Sequence, residues 1–142
     1  MQINIKLIDS SLPVPQYHTA GSVGFDLCAR IDMIIKPFTP TIIPLNIIVQ
    51  VPAGHAMLLL ARSSLPLKKG LIVANSVGII DQDYSGETDE VGLSVLNFTK
   101  NDVTVVKGER IAQGLIVPVE VVKFLKVKKM NDQSRGGFGS TG

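Results

Sequence analysis

The chain has 142 residues, 45% of them hydrophobic and 18% charged, which describes one compact domain with material for a core and excludes a disordered chain. Fourteen basic against twelve acidic side chains leave a formal charge of +2, too small and too evenly spread for a surface that grips a nucleic-acid duplex. Cys28 is alone, which excludes an internal disulfide. With only His18 and His55 as further soft ligands a zinc site is not expected, and any metal should be oxygen-bound.

The run Met1-Gln2-Ile3-Asn4-Ile5-Lys6-Leu7 alternates polar and apolar residues, which predicts a strand over Asn4 to Leu7 rather than the apolar centre of a signal peptide. No apolar run reaches membrane-spanning length, so no membrane association is expected, and the reducing cytoplasm is the expected home. Further strands are predicted over Gly24 to Arg30, Thr41 to Val51, His55 to Ala61, Leu71 to Val73, Gly92 to Asn97, Val103 to Val106, Arg110 to Pro118 and Val122 to Lys128. Pro44 removes a ladder donor and marks an edge or a bulge. Pro52-Ala53-Gly54 and Asn101-Asp102 read as hairpin turns. One helical turn is predicted over Ser64-Leu65-Pro66-Leu67-Lys68-Lys69, with Ser63 or Ser64 as its cap and Gly70 as its stop. In the last strand Lys123, Lys126 and Lys128, followed by Lys129, suit a solvated face. Many short strands in one domain imply a barrel or a two-sheet jelly roll, because closure removes exposed edges. Apolar residues spread over so many strands also leave surface for burial between subunits.

Four interior segments carry chemistry. Ala20-Gly21-Ser22-Val23-Gly24-Phe25-Asp26-Leu27 ends in an Asp between apolar neighbours, which is either buried and paired or faces a site. Ala61-Arg62-Ser63-Ser64 offers a guanidinium and two hydroxyls, the parts of a phosphate site or of a capped turn. In Val77 to Glu87, Asp81 and Asp83 share one face of an extended chain. Such a pair can hold a metal or activate water, and the same run also suits a polar turn. Arg110-Ile111-Ala112-Gln113-Gly114 is the fourth, in which Arg110 and Gln113 read as ordinary polar strand residues; His18 and His55 read as surface residues. The closing run Ser134 to Gly142 has four glycines, one Phe, one Arg and two further hydroxyls, too glycine-rich for a core. It suits either a mobile terminus or a cover for a nucleotide, with amides and hydroxyls for phosphate and a ring for a base.

In this order, AGSVGFDL at 20–27, ARSSL at 61–65, VGIIDQDYSGE at 77–87, GERIAQ at 108–113 and RGGFGSTG at 135–142 resemble the five motifs of the trimeric all-β dUTPases. The resemblance implies a jelly-roll-like distorted barrel of the β-clip type over 1–133, with a C-terminal motif at 134–142 that closes over an active site. It implies a homotrimer with sites shared between chains, and magnesium-assisted hydrolysis of dUTP to dUMP and pyrophosphate. That reaction limits uracil in DNA and supplies dUMP for dTMP synthesis. On the matching positions Asp81 resembles the water-activating carboxylate and Gln113 the residue near the α-phosphate and water. Asp26 resembles the Asp that meets magnesium through water, the ion being held mainly by substrate phosphates. Arg62, Ser63 and Ser64 match the phosphate-binding motif. Asn75, Gly78 and Ile80 resemble a uracil-reading hairpin, and Tyr84 the ring that packs under deoxyribose and excludes a 2'-hydroxyl. Arg135, Phe138, Gly139, Ser140 and Thr141 resemble the tail that covers base and terminal phosphates.

Two departures accompany the resemblance. Arg135 stands three residues before Phe138, closer than in many relatives, and Glu87-Thr88-Asp89-Glu90 reads as a surface extension of a loop. Two other readings compete: a deoxycytidine triphosphate deaminase on the same fold, and a nucleotide-gated module that binds a partner protein.

Overall fold

The computed structural model describes residues 1–130, 133, 134, 136 and 137. The candidates Arg135, Phe138, Gly139, Ser140 and Thr141 therefore lie outside the described residues. Eleven strands and one helix follow in the order β1 (Ile5–Leu7), β2 (Phe25–Cys28), β3 (Met33–Ile35), β4 (Thr41–Pro44), β5 (Ile47–Val49), β6 (His55–Ala61), α1 (Leu65–Lys69), β7 (Leu71–Val73), β8 (Gly78–Ile80), β9 (Gly92–Asn97), β10 (Val103–Val105) and β11 (Arg110–Pro118). They form a four-stranded sheet β2-β11-β6-β8, a three-stranded sheet β4-β9-β7, and two pairs, β1-β5 and β10-β3. Every pair is antiparallel. The all-β, jelly-roll-like architecture holds, built from separate small sheets rather than one closed barrel.

The alternation read from the sequence is the reason these strands pack. Along β9, Leu93, Val95 and Asn97 point inward and Gly92, Ser94 and Leu96 are only partly covered. With Leu27, Ile35, Ile43, Met57, Leu59, Leu71 and Ile111 they form one core, filled by aliphatic side chains. Asn97 is a buried polar residue beside that core, and its side-chain amide donates to Ile35 O at 2.9 Å and Asn101 O at 2.8 Å, so this buried donor is not stranded. Gly70 closes α1 in the left-handed conformation, φ 63°, with its N–H donating to Pro66 O. A Cβ there would run into the Thr99 side chain, so both the turn and the close approach require glycine. Ser64 occupies the N-cap position, but its hydroxyl makes no cap hydrogen bond.

Four elements differ from expectation. The run Thr41 to Val51 is two strands, because Pro44-Leu45-Asn46 carries the chain from one sheet to another. Asn46 makes the turn at φ 69° while 1% exposed. Its side-chain oxygen accepts Asp9 N–H at 2.7 Å and its amide donates to Asp9 O at 3.0 Å, which offsets the left-handed backbone. Met33–Ile35 is a strand although only three residues long, since β10 supplies its ladder. Gly78–Ile80, for which no strand is predicted, pairs with β6 at the edge of the four-stranded sheet. Val122 to Lys128 forms no strand; the segment is irregular, with Phe124 96% and Leu125 86% exposed. An alternating pattern becomes a strand only where a second strand offers hydrogen bonds, and within the described residues none pairs with this segment.

Candidate active site

The four-stranded sheet brings three of the chemistry-bearing segments together. Asp26 on β2 pairs in register with Gln113 on β11, which in turn pairs with Leu60 on β6. Arg62 lies just past the end of β6, and its N–H donates to Ile111 O at 3.2 Å, so the ladder continues through it. A register shift between Arg110 and Ala112 interrupts the pairing with β2. Residues three apart on a regular strand face opposite sides, and this bulge lets both Arg110 and Gln113 reach one carboxylate.

That carboxylate belongs to Asp26, whose side chain is only 4% exposed. Oδ1 meets Arg62 Nε at 3.2 Å and accepts Gln113 Nε2 at 3.1 Å. Oδ2 lies 3.1 Å from His18 Nε2 and 3.3 Å from Arg110 Nη1, but neither approach is aligned as a hydrogen bond. Arg110 Nη1 also lies 2.6 Å from His18 Nε2, and Arg62 Nη1 donates weakly to Arg110 O at 3.4 Å. Burying a lone carboxylate costs several kcal/mol, so the two guanidinium groups are what make this position tolerable. The reverse also holds: Asp26 fixes the direction of both arginines, whose outer faces stay open, 30% and 48% exposed. Arg62, Ser64, Lys68, Lys69 and Arg110 line a groove beside it, in which Lys69 is paired with Glu109 at 2.9 Å. Ser63 is exposed beside Arg62.

This donor set suits an anion better than a cation. No three His, Cys, Asp or Glu side chains converge among the described residues, and the one buried carboxylate is already surrounded by positive groups. The described residues of one chain therefore do not fit a protein-held magnesium.

The third segment is elsewhere. Ile80 pairs with Met57, so Asp81 continues opposite Ala56, four residues along β6 from the Leu60 that marks the level of Asp26. Four residues correspond to about 13 Å along the strand, and the three strand steps from β2 to β8 add about 14 Å across the sheet. Asp81 lines a different cavity, with Ile42, Ile79, Ile80, Tyr84 and Glu90. Asp81 and Asp83 are both exposed. The Tyr84 hydroxyl donates to Glu90 O at 3.2 Å. Asn75 sits in the tight turn between β7 and β8, where Ser76 has φ 67° and Val77 N–H donates to Asn75 O at 2.8 Å. β7 and β8 belong to different sheets, so the expected hairpin is a crossing between sheets.

Within one chain, then, Asp26, Arg62 and Gln113 meet, Asp81, Tyr84 and Ile80 line one cavity with Gly78 earlier on the same strand, and the two groups stand apart. His18 and Arg110 are the members of the first group that residue patterns pass over. His18 is separated from Asp26 by a loop, and only the isolated bridge Gln16–Asp26 brings it back. Arg30 and Glu90 are missed in the same way. They form a two-point ion pair at 2.7 and 2.8 Å, and the carboxylate raises the already high pKa of the guanidinium.

The dUTPase family model matches residues 10–142. The chain is 39% identical over 145 residues to a deoxyuridine 5'-triphosphate nucleotidohydrolase of Hydrogenobaculum sp. strain Y04AAS1, covering 100% of this chain and 99% of that protein. Its fold is similar to that of the dUTPase from Streptococcus mutans, with a TM-score of 0.77, 29% identity, and coverage of 84% of this chain and 98% of that one. It is also similar to a dUTPase of Staphylococcus bacteriophage 80alpha, with a TM-score of 0.85 at 23% identity and coverage of 99% and 98%.

Proposed function

Since the chain belongs to the dUTPase family, we propose that it hydrolyses dUTP to dUMP and pyrophosphate, with each active site assembled from more than one subunit. The observation that carries the shared site is the separation of Asp81 from the cluster around Asp26, along and across the strands of one sheet. Phosphoryl displacement asks a protein mainly for alignment and neutralised charge. In this reading a triphosphate lies along the groove of Arg62, Ser64 and Arg110, with Ser63 beside it. Asp26 holds the guanidinium groups toward it, and Gln113 directs the α-phosphate and the attacking water. A neighbouring subunit supplies Asp81, whose carboxylate takes the proton of that water as its oxygen bonds to phosphorus and pyrophosphate leaves. The same neighbour supplies Asn75 and the Gly78–Ile80 backbone for uracil and Tyr84 for deoxyribose. Three such chains form a homotrimer.

Magnesium would ride on the substrate's phosphates, since the described residues of one chain offer it no cage. The physiological role is removal of dUTP ahead of DNA synthesis and supply of dUMP. No helix among the described residues is long and apolar enough to cross a membrane, and the single thiol, Cys28, is buried, which burial pushes up in pKa. A reducing cytoplasm suits both.

Pyrophosphate release from dUTP, dCTP, dTTP and UTP, with and without magnesium, tests this function. Release from dUTP, lost on chelation, is the expected result, and ammonia from dCTP would favour the deaminase instead. We further propose the division into a jelly-roll-like β domain at 1–133 and a covering motif at 134–142. Removing residues 134–142 is expected to leave the melting temperature and the trimer intact and to abolish most turnover. An unfolded or monomeric truncation would overturn that division.

A further inference from the structure

Glu90 ends the segment that the sequence presents as a surface extension, and its surroundings are not those of a surface residue. Arg30 donates to it twice, Nε to Oε1 at 2.7 Å and Nη2 to Oε2 at 2.8 Å. Oε1 also accepts the Asn46 N–H at 2.9 Å. The two side chains are 27% and 17% exposed, so the pair is partly desolvated and its fork geometry is held more firmly than that of an exposed ion pair. Arg30 is itself fixed at the end of β2, its N–H donating to Pro44 O at 2.9 Å, and Val91 N–H donates to Ile47 O at 2.8 Å.

The other ties of this loop are local or exposed. Gly86 N–H donates to Asp89 Oδ2 at 2.7 Å, Tyr84 N–H donates to Asp81 O at a long 3.4 Å, and Glu87 pairs with Lys6 in solvent. The Tyr84 hydroxyl reaches out of the loop to Glu90 O, and Glu90 lines the same cavity as Tyr84 and Asp81. A ring excludes a hydroxyl group only if it cannot yield, and a displacement of about 1 Å is enough to undo such a fit.

We infer that Glu90, clamped by Arg30 and the Asn46 amide, is a positioning residue that seats Tyr84 and thereby sets the discrimination between deoxyribonucleotide and ribonucleotide. The inference rests on the proposed hydrolysis of a uracil nucleotide. In this arrangement Arg30, just past β2, and the β4–β5 turn hold the Glu90 side chain, the Glu90 main-chain carbonyl receives the tyrosine hydroxyl, and the ring bounds the sugar.

The test is the ratio of kcat/KM for dUTP to that for UTP, in the full chain and in Glu90→Ala, Glu90→Gln, Tyr84→Phe and the double variant Glu90→Ala/Tyr84→Phe. Both substrates meet the same enzyme preparation, so loss of folded protein cancels from the ratio. Glu90→Ala and Tyr84→Phe are each expected to lower the ratio about tenfold, the scale of one pocket contact. The double variant should lower it no further, because the two changes act in series: Glu90→Ala frees the main chain whose carbonyl receives the tyrosine hydroxyl, and Tyr84→Phe removes that hydroxyl. Glu90→Gln keeps an acceptor for Arg30 and Asn46 and should restore most of the ratio. If Glu90→Ala fails to fold, Arg30→Lys, which loses the fork but keeps the charge, should give an intermediate ratio. An unchanged ratio in these variants, or additive losses in the double variant, overturns the inference while leaving dUTP hydrolysis standing. A wild-type chain inactive on dUTP overturns the function and this inference together.

Discussion

Asp81→Asn should lower turnover of dUTP by about 10²- to 10⁴-fold, the usual effect of removing a general base, while the nucleotide still binds. The substitution is nearly isosteric and changes one exposed side chain, so the core and the strand pairing of β8 with β6 are untouched. The amide keeps a hydrogen-bonding oxygen for the water but cannot take its proton. Single-turnover rates with dUTP, together with the dissociation constant of a non-hydrolysable analogue, separate the two effects. A variant with near-normal turnover would remove Asp81 from the catalytic role, and one that failed to bind would make it a binding residue instead.

Mixing two inactive variants should restore activity. Asp81→Asn and Arg62→Ala each spoil every site of a homotrimer made from one variant alone. In a mixed trimer a site can draw Asp81 from an Arg62→Ala chain and Arg62 from an Asp81→Asn chain. With equal amounts and random exchange such intact sites are about one in four, so about a quarter of wild-type activity should return after co-refolding or subunit exchange. The expectation depends on geometry: Asp26, Arg62 and Gln113 lie together across β2, β11 and the C-terminal end of β6, whereas Asp81 follows the edge strand β8 near the opposite end of β6. Restored activity would show that sites cross subunits. Activity no greater than the sum of the parents, with mixed trimers demonstrated, would mean that one chain builds a whole site.

Legibility of the fold followed the range of the interactions involved. His55–Ala61, Leu71–Val73, Gly92–Asn97 and Arg110–Pro118 stand where apolar alternation and flanking turn residues predict them, because a strand buried on one face writes that burial into its own residues. Met33–Ile35 and Val122 to Lys128 fail in opposite directions for one reason. The first is too short to show a period but has β10 beside it, and the second has the period but no partner among the described residues. Asn46 could not be foreseen either, since its left-handed turn is tolerated through hydrogen bonds to Asp9, far away in sequence.

The candidate site divides in the same way. Which residues carry the chemistry could be read along the chain: Asp26, Arg62, Asp81, Tyr84 and Gln113 stand in four of the five ordered motifs, and a carboxylate or guanidinium is recognised from its residue type alone. Which of them meet could not. His18 enters the Asp26 cluster through an isolated bridge, Arg110 joins Gln113 on one carboxylate through a bulge, and Glu90 is drawn out of solvent by Arg30 sixty residues earlier. The sequence by itself determined the all-β class, the family and the inventory of reactive groups, because these follow from local pattern and residue identity. Only the tertiary structure decided that the inventory falls into two separated halves and that Glu90 is a clamp, because pairing register and distant hydrogen bonds are set by where strands come to lie.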